Sequence, residues 1–187
     1  MAEVKVLVRG YTSSESGDEK TCATISLIKD EKINMIIDPG VLISQQILID
    51  ALKKEGLDIK DINYVGLTHS HIDHYRNIGM FPDAKTIEFY GIWDKNTVID
   101  WKEDFSKNIK IIKTPGHSRT GISFLVNTKE GKIAIVGDVF WKENYPEVDE
   151  YANDMNELQK SRELIFKLAD FIIPGHSDMY KVKKRLV

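Results

Sequence analysis

The stretch Thr68-His69-Ser70-His71-Ile72-Asp73-His74 follows the short apolar run from Ile62 to Leu67. It places three imidazoles and one carboxylate within six residues. That density is too great for ordinary core or surface duty, whereas imidazole is the commonest biological ligand for zinc and related metals. The other two histidines stand in Thr114-Pro115-Gly116-His117 and Pro174-Gly175-His176. A single His after Pro-Gly is more often a turn residue. All five histidines, however, fall beside Asp or after Pro-Gly at the ends of apolar runs, and the chain reads as one built around a metal centre.

Outward from this stretch the pattern alternates between strands and helices. Val4 to Val8 alternates apolar and polar residues, as a half-buried strand does. Thr24 to Ile28 and Ile33 to Ile37 are β-branched runs around Lys29-Asp30-Glu31-Lys32, which reads as a hairpin, and Asp38-Pro39-Gly40 stops the second run. Val41 to Lys54 has apolar residues at helical spacing, with Gly56 as its stop. Thr86 to Tyr90, Ile109 to Ile112, Ile122 to Val126, Ile133 to Val136 and Phe171 to Ile173 read as further strands, and Met155 to Leu168 as a long helix. Tyr11 to Lys20 is polar and turn-rich and reads as a loop, either a flap over substrate or a solvated connection. The order implies an α/β layered architecture. Each candidate ligand, including Asp138 after Gly137, sits just past a strand-like run, so strand ends along one sheet edge could bring distant residues to one point.

Length and composition set bounds. At 187 residues the chain suits one domain, 1–187, which buries roughly 70% of its unfolded surface and needs no disulfide staples. Cys22 is the only cysteine, so it forms neither an internal disulfide nor a CxxC zinc site, and it reads as a small buried strand residue. A net charge of -3 argues against a surface dedicated to polyanions. Met1-Ala2-Glu3-Val4-Lys5 enters a strand pattern at once, without the apolar core of a signal peptide. No run is long enough to span a membrane, and the expected location is the cytoplasm.

The HxHxDH stretch, His117, the Gly137-Asp138 step and His176, in that order, resemble the metallo-β-lactamase superfamily, and the resemblance runs from about Val4 to Met179. In finer detail Gly79 to Ala84, Gly137-Asp138-Val139-Phe140 and Ala169 to His176 are similar to the metallo-β-lactamase domain-containing protein 1-like group. The resemblance implies a four-layer αββα sandwich, with two mixed sheets flanked by helices and metals at one edge. It assigns His69, His71 and His117 to a first metal, Asp73, His74 and His176 to a second, and Asp138 to a bridge between them. It also implies that Asp73 orients the nucleophile and that Asp38, otherwise readable as an Asx-turn residue, supports the histidine loop. A ligand set without thiolate suits two divalent ions, zinc first, with manganese or iron as alternatives. Two such ions roughly 3.5–4 Å apart can share a water and lower its pKa toward ~7.

Departures from relatives narrow the function. Flavodiiron proteins carry Glu where this chain has His71, and several true β-lactamases carry Cys where it has Asp138. The extra domain of the large pre-mRNA nucleases and the long arm of tRNA-processing relatives are absent. Three functions follow from the resemblance: hydrolysis of a small ester, thioester or lactone, which is favoured; cleavage of RNA or DNA phosphodiesters; or, from another class, persulfide oxidation at one iron. A small-molecule substrate is expected, nucleic acid is the alternative partner, and no membrane is. The aromatic segment Phe140 to Tyr151 could floor the cleft, enter a homodimer interface, or be a partly packed loop. Lys181, Lys183, Lys184 and Arg185 read as a solvated basic end, with phosphate contact as the lesser alternative.

Overall fold

The computed structural model describes residues 1–13 and 20–183. Its strands are β1 (Glu3–Val8), β2 (Tyr11–Ser13), β3 (Lys20–Cys22), β4 (Ile25–Asp30), β5 (Ile33–Ile37), β6 (Tyr64–Gly66), β7 (Lys85–Glu88), β8 (Gly91–Asp94) and β9 (Thr97–Ile99) in the first half. The second half adds β10 (Ile109–Lys113), β11 (Ile122–Thr128), β12 (Gly131–Gly137), β13 (Phe171–Pro174) and β14 (Tyr180–Lys181). The helices are α1 (Gln46–Lys54), the single turn α2 (Ile72–Tyr75) and α3 (Met155–Leu168). One sheet has the order β1-β4-β5-β6-β7-β8-β9 and the other β10-β11-β12-β13-β14, while β2 and β3 form a separate ribbon. Both large sheets are mixed: β5, β6 and β7 run parallel, as do β12 and β13, and the remaining pairs are antiparallel.

Three apolar clusters define the layers. Ile28, Met35, Ile37 and Ile87 of the first sheet meet Ile111, Phe124, Ile133 and Ile135 of the second, all buried. The outer face of the first sheet, through Ile25, Leu27, Ile36 and Val65, packs on Leu48 and Leu52 of α1. The outer face of the second, through Leu125, Ala134 and Val136, packs on Leu158 and Ile165 of α3. The alternation of faces along each strand therefore produces helix, sheet, sheet, helix: the αββα sandwich. Each fully buried Leu, Ile or Phe contributes roughly 1.5–3 kcal/mol, so these clusters hold the frame from which the site is hung.

Helix α1 starts at Gln46 rather than Val41. Ile43 is 93% exposed, and the Ser44 hydroxyl accepts from the Gln46 amide, so the chain turns before the helix begins. Its stop is as expected, with Gly56 in the left-handed region at φ +74° and its N–H bonded to the Lys53 carbonyl. Strands β8 and β9 form a hairpin not expected from the sequence pattern. Of the presumed loop from Tyr11 to Lys20, Tyr11–Ser13 and Lys20–Cys22 pair as antiparallel strands, with Cys22 buried. The rest of that loop lies outside the described residues, as do Lys184 and Arg185.

Candidate metal centre

The strand ends converge as the pattern required. His69 follows β6, His117 follows β10, Asp138 follows β12 and His176 follows β13, while α2 carries Asp73 and His74. Ligand-type atoms of His69, His71, His117 and Asp138 lie within 4.8 Å of one another, and so do those of Asp73, His74 and His176. Asp138 stands between the two groups. Its Oδ2 is 3.3 Å from His117 Nε2 and 3.8 Å from His69 Nε2, while its Oδ1 is 3.3 Å from His74 Nε2 and 3.2 Å from His176 Nε2. His71 Nδ1 lies 3.0 Å from His117 Nε2. All seven residues singled out in the sequence are thus brought together.

Two glycines make this approach possible. Gly137 has φ +53°, and a Cβ there would collide with the Thr68 side chain. A Cβ on Gly175 would occupy the place of Asp138 Oδ1. The sheets are also tied at this edge by backbone bonds from Ile122 N–H to Thr68 O, 2.8 Å, and from Thr24 N–H to Gly175 O, 2.6 Å.

Behind the cluster four of the imidazoles, those of His69, His74, His117 and His176, are held by Nδ1. His176 Nδ1 lies 3.1 Å from the Cys22 carbonyl, so it must donate, which leaves Nε2 with its lone pair toward the centre. His74 Nδ1 donates to Asp38 Oδ2 at 2.8 Å. The Thr68 hydroxyl donates to the same oxygen at 2.7 Å and accepts from His69 Nδ1 at 3.1 Å. Asp38 Oδ1 also accepts the Thr68 amide, 2.8 Å. Asp38 sits in the left-handed region at φ +51°, a conformation Asp tolerates better than most residues and one these bonds hold in place. His117 Nδ1 donates to Asp149 Oδ2 at 2.6 Å. Such outer partners fix tautomer and ring orientation around metals.

The residues fit a cation. His69 Nε2, His74 Nε2 and Asp138 Oδ1 are buried with no aligned hydrogen-bond partner among the described residues. Buried polar atoms are rarely left in this way, and three facing one point suit ligand atoms. The electrostatics agree. Burial, reinforced by His74, holds the His69 pKa well below 6.5. Burial disfavours a charge on His74 as well, but Asp138 and Asp38 outweigh it and hold the pKa well above 6.5. His176 is raised likewise, with burial overcome by Asp138. Asp138 remains ionised well below 3.8, since His74 and His176 overcome its burial.

A cleft of about 150 Å³ opens over this cluster and is lined by His71, Asp73, Asp138, Thr21, Trp141 and Tyr151 among others. Asp73 Oδ2 accepts from the Thr21 hydroxyl at 2.8 Å. The segment Phe140 to Tyr151 divides: Phe140 is buried beneath α3, whereas Trp141 and Tyr151 wall the cleft. Sequence reasoning gave no role to Asp149, Thr21 or Arg162. Arg162 is buried on α3, and its Nε donates to Val139 O at 2.9 Å and its Nη1 to Glu147 O at 3.1 Å. It ties both ends of the segment that follows Asp138. The available signal for Asp149 was general: a metal-binding His almost always has a carboxylate or carbonyl behind it.

Histidines and carboxylates gathered where strand ends open on one edge of an αββα sandwich make this the frame of a metallo-hydrolase, and comparison with known proteins agrees. Residues 23–107 match the metallo-β-lactamase superfamily. A probable metallo-hydrolase of Methanocaldococcus jannaschii is 31% identical over 189 residues, spanning 96% of this chain and 90% of that protein. The metallo-β-lactamase domain-containing protein 1 of Xenopus laevis is 29% identical over 192 residues, 97% of this chain and 82% of that protein. Two solved structures share the fold. A Thermotoga maritima protein assigned to the metallo-β-lactamases has a TM-score of 0.78 at 23% identity, covering 96% of this chain and 99% of that one. A dizinc quorum-quenching lactonase has a TM-score of 0.64 at 18% identity, covering 90% and 78%. The chain belongs to the metallo-β-lactamase superfamily. Along nearly its whole length it is like the metallo-β-lactamase domain-containing protein 1 group, and its His and Asp cluster binds divalent metal.

Proposed function

We propose that the protein is a dinuclear metallo-hydrolase of a small ester, thioester or lactone. His69, His71 and His117 would hold one ion and Asp73, His74 and His176 the other, with Asp138 shared between them. The observation that carries this reading is the placement of Asp138, whose two oxygens lie 3.2–3.8 Å from the Nε2 atoms of His69, His74, His117 and His176. Borderline nitrogen and oxygen donors without thiolate favour zinc, and the dizinc lactonase of like fold supports that choice. When bound, two such ions lower the pKa of a shared water toward ~7 and polarise a carbonyl oxygen.

The chain's own residues supply the rest. The Asp38, Asp149 and Cys22 contacts hold His74, His117 and His176 in the tautomer with Nε2 free. Asp73, fixed by Thr21 and lining the cleft, is placed to orient the attacking oxygen by accepting its proton in a hydrogen bond. Trp141 and Tyr151 keep part of the site from water.

Elemental analysis of protein purified without added metal, followed by assay on thioesters, lactones, phosphodiesters and single-stranded RNA, tests the proposal. Two zinc ions per chain and chelator-sensitive thioester or lactone hydrolysis are expected. Asp138→Ala should lower both metal content and turnover, because it removes the charge shared by both groups. Full turnover after complete metal removal, or a single iron with persulfide oxidation and no hydrolysis, would overturn it.

A further inference from the structure

The cleft over the metal ligands continues into a second hollow of about 240 Å³, and the two share Thr12, Trp141 and Tyr151. Tyr145, Pro146 and Val148 complete the outer wall. The Trp141 ring centroid lies 6.4 Å from His117 and 6.5 Å from His176, then 5.7 Å from Tyr151 and 6.0 Å from Tyr145. An aromatic surface therefore runs without interruption from the ligand histidines outward. Tyr145, Val148 and Tyr151 are 49%, 68% and 57% exposed. Single exposed apolar residues are ordinary, but several gathered around one hollow beside a metal site mark a binding surface.

Charge narrows what fits. Among the described residues Lys142 is the only cation lining the outer hollow; its Nζ stands 5.3 Å over the Tyr145 ring, and Glu150 lines the same space. One negative group could sit at the metals, but a polyanion laid along a groove lined by one Lys and one Glu would find no track of Lys and Arg.

We propose that this groove binds the apolar acyl arm of the substrate, so that the protein prefers neutral esters, thioesters or lactones with a medium-length chain over polyanions. This rests on the hydrolase reading above, and the experiment separates the two. Acyl hydroxamates from acetyl to octanoyl carry the same metal-binding head on tails of different length, and they need no turnover. Calorimetric titration of the metal-loaded protein should show the octanoyl compound binding at least about tenfold tighter than the acetyl one, as partial burial of several methylenes requires. Tyr145→Ala and Tyr151→Ala, both at exposed positions, should cut that ratio to about twofold. Equal affinities in the wild type, or an unchanged ratio in both variants, would overturn the groove. So would displacement of the octanoyl compound by a short single-stranded RNA. If the tail preference is present and lost in the variants while no matching thioester is cleaved, the groove stands and the hydrolase reading falls.

Discussion

Asp149 is the sharpest place to perturb the centre without touching a ligand. Its side chain is fully buried, and its two oxygens do different work: Oδ2 accepts from His117 Nδ1 at 2.6 Å and Oδ1 from the Tyr151 amide at 2.9 Å. Asp149→Asn keeps the shape but has only one acceptor oxygen. If that oxygen stays with Tyr151, the amide NH2 faces the His117 Nδ1–H; if it turns to His117, the NH2 faces the Tyr151 N–H. Either way one bond becomes a donor against a donor, and the charge that favours Nδ1–H is gone. Loss of a hydrogen bond to a charged group costs about 1.5–3 kcal/mol. Metal-site outer partners, when mutated, typically cost about 10–100-fold in affinity, the same range in free energy. For the proposed dizinc centre, competition with a chromophoric chelator should therefore show one ion weakened by about 10–100-fold while the other is held nearly as before. Asp38→Asn should weaken both, because Asp38 holds His74 directly and His69 through Thr68. Wild-type affinity for both ions in Asp149→Asn, with the fold intact by circular dichroism, would show that His117 is not oriented in this way.

Gly175→Ala should abolish metal binding while leaving secondary structure in place, because the new methyl group falls on Asp138 Oδ1; elemental analysis reads the outcome. Arg162→Met should keep the metals but raise KM for any cleaved substrate. With the ties to Val139 and Glu147 gone it should also lower the melting temperature by roughly 4–8 °C for a loss of about 2 kcal/mol. A third test concerns protons. His74 is raised above 6.5 because Asp138 and Asp38 overcome its burial, so in the metal-free protein its contribution to stability is fully present below pH 6.5 and lost as pH rises through the higher folded value. A metal must displace that proton, so loading at pH 7 should release protons and tighten with rising pH, as seen from the buffer dependence of the binding enthalpy. Proton-neutral loading at pH 7 would refute it.

The residues that gather at the site were legible in the sequence because metal chemistry leaves little choice of residue type, and because most lie where an apolar run ends. β-branched runs such as Ile33–Ile37 and Ile109–Lys113 announce buried strands, and the residue after each must leave the sheet at the same edge when the strands run alike. The β8–β9 hairpin had a weaker signal. Its strands are three and four residues long and largely exposed, so there is little hydrophobic alternation to read. Asp149 had no local signal at all. It is one of several acids in a loop of mixed character, and its partner lies 32 residues away. The two meet only because Asn153 and Asp154 donate their amides to the His117 and Gly116 carbonyls, which folds the end of that loop back onto the Pro-Gly-His turn. Arg162 then ties Val139 and Glu147 to α3, fixing the stretch that reaches from Asp138 to the Asp149 carboxylate behind His117. The chemistry of the ions is therefore written in the motif, whereas their unequal support is written in loop packing. That is why Asp149, which reaches His117 alone, should control one ion of the proposed pair, whereas Asp38, which reaches His74 directly and His69 through Thr68, should act on both.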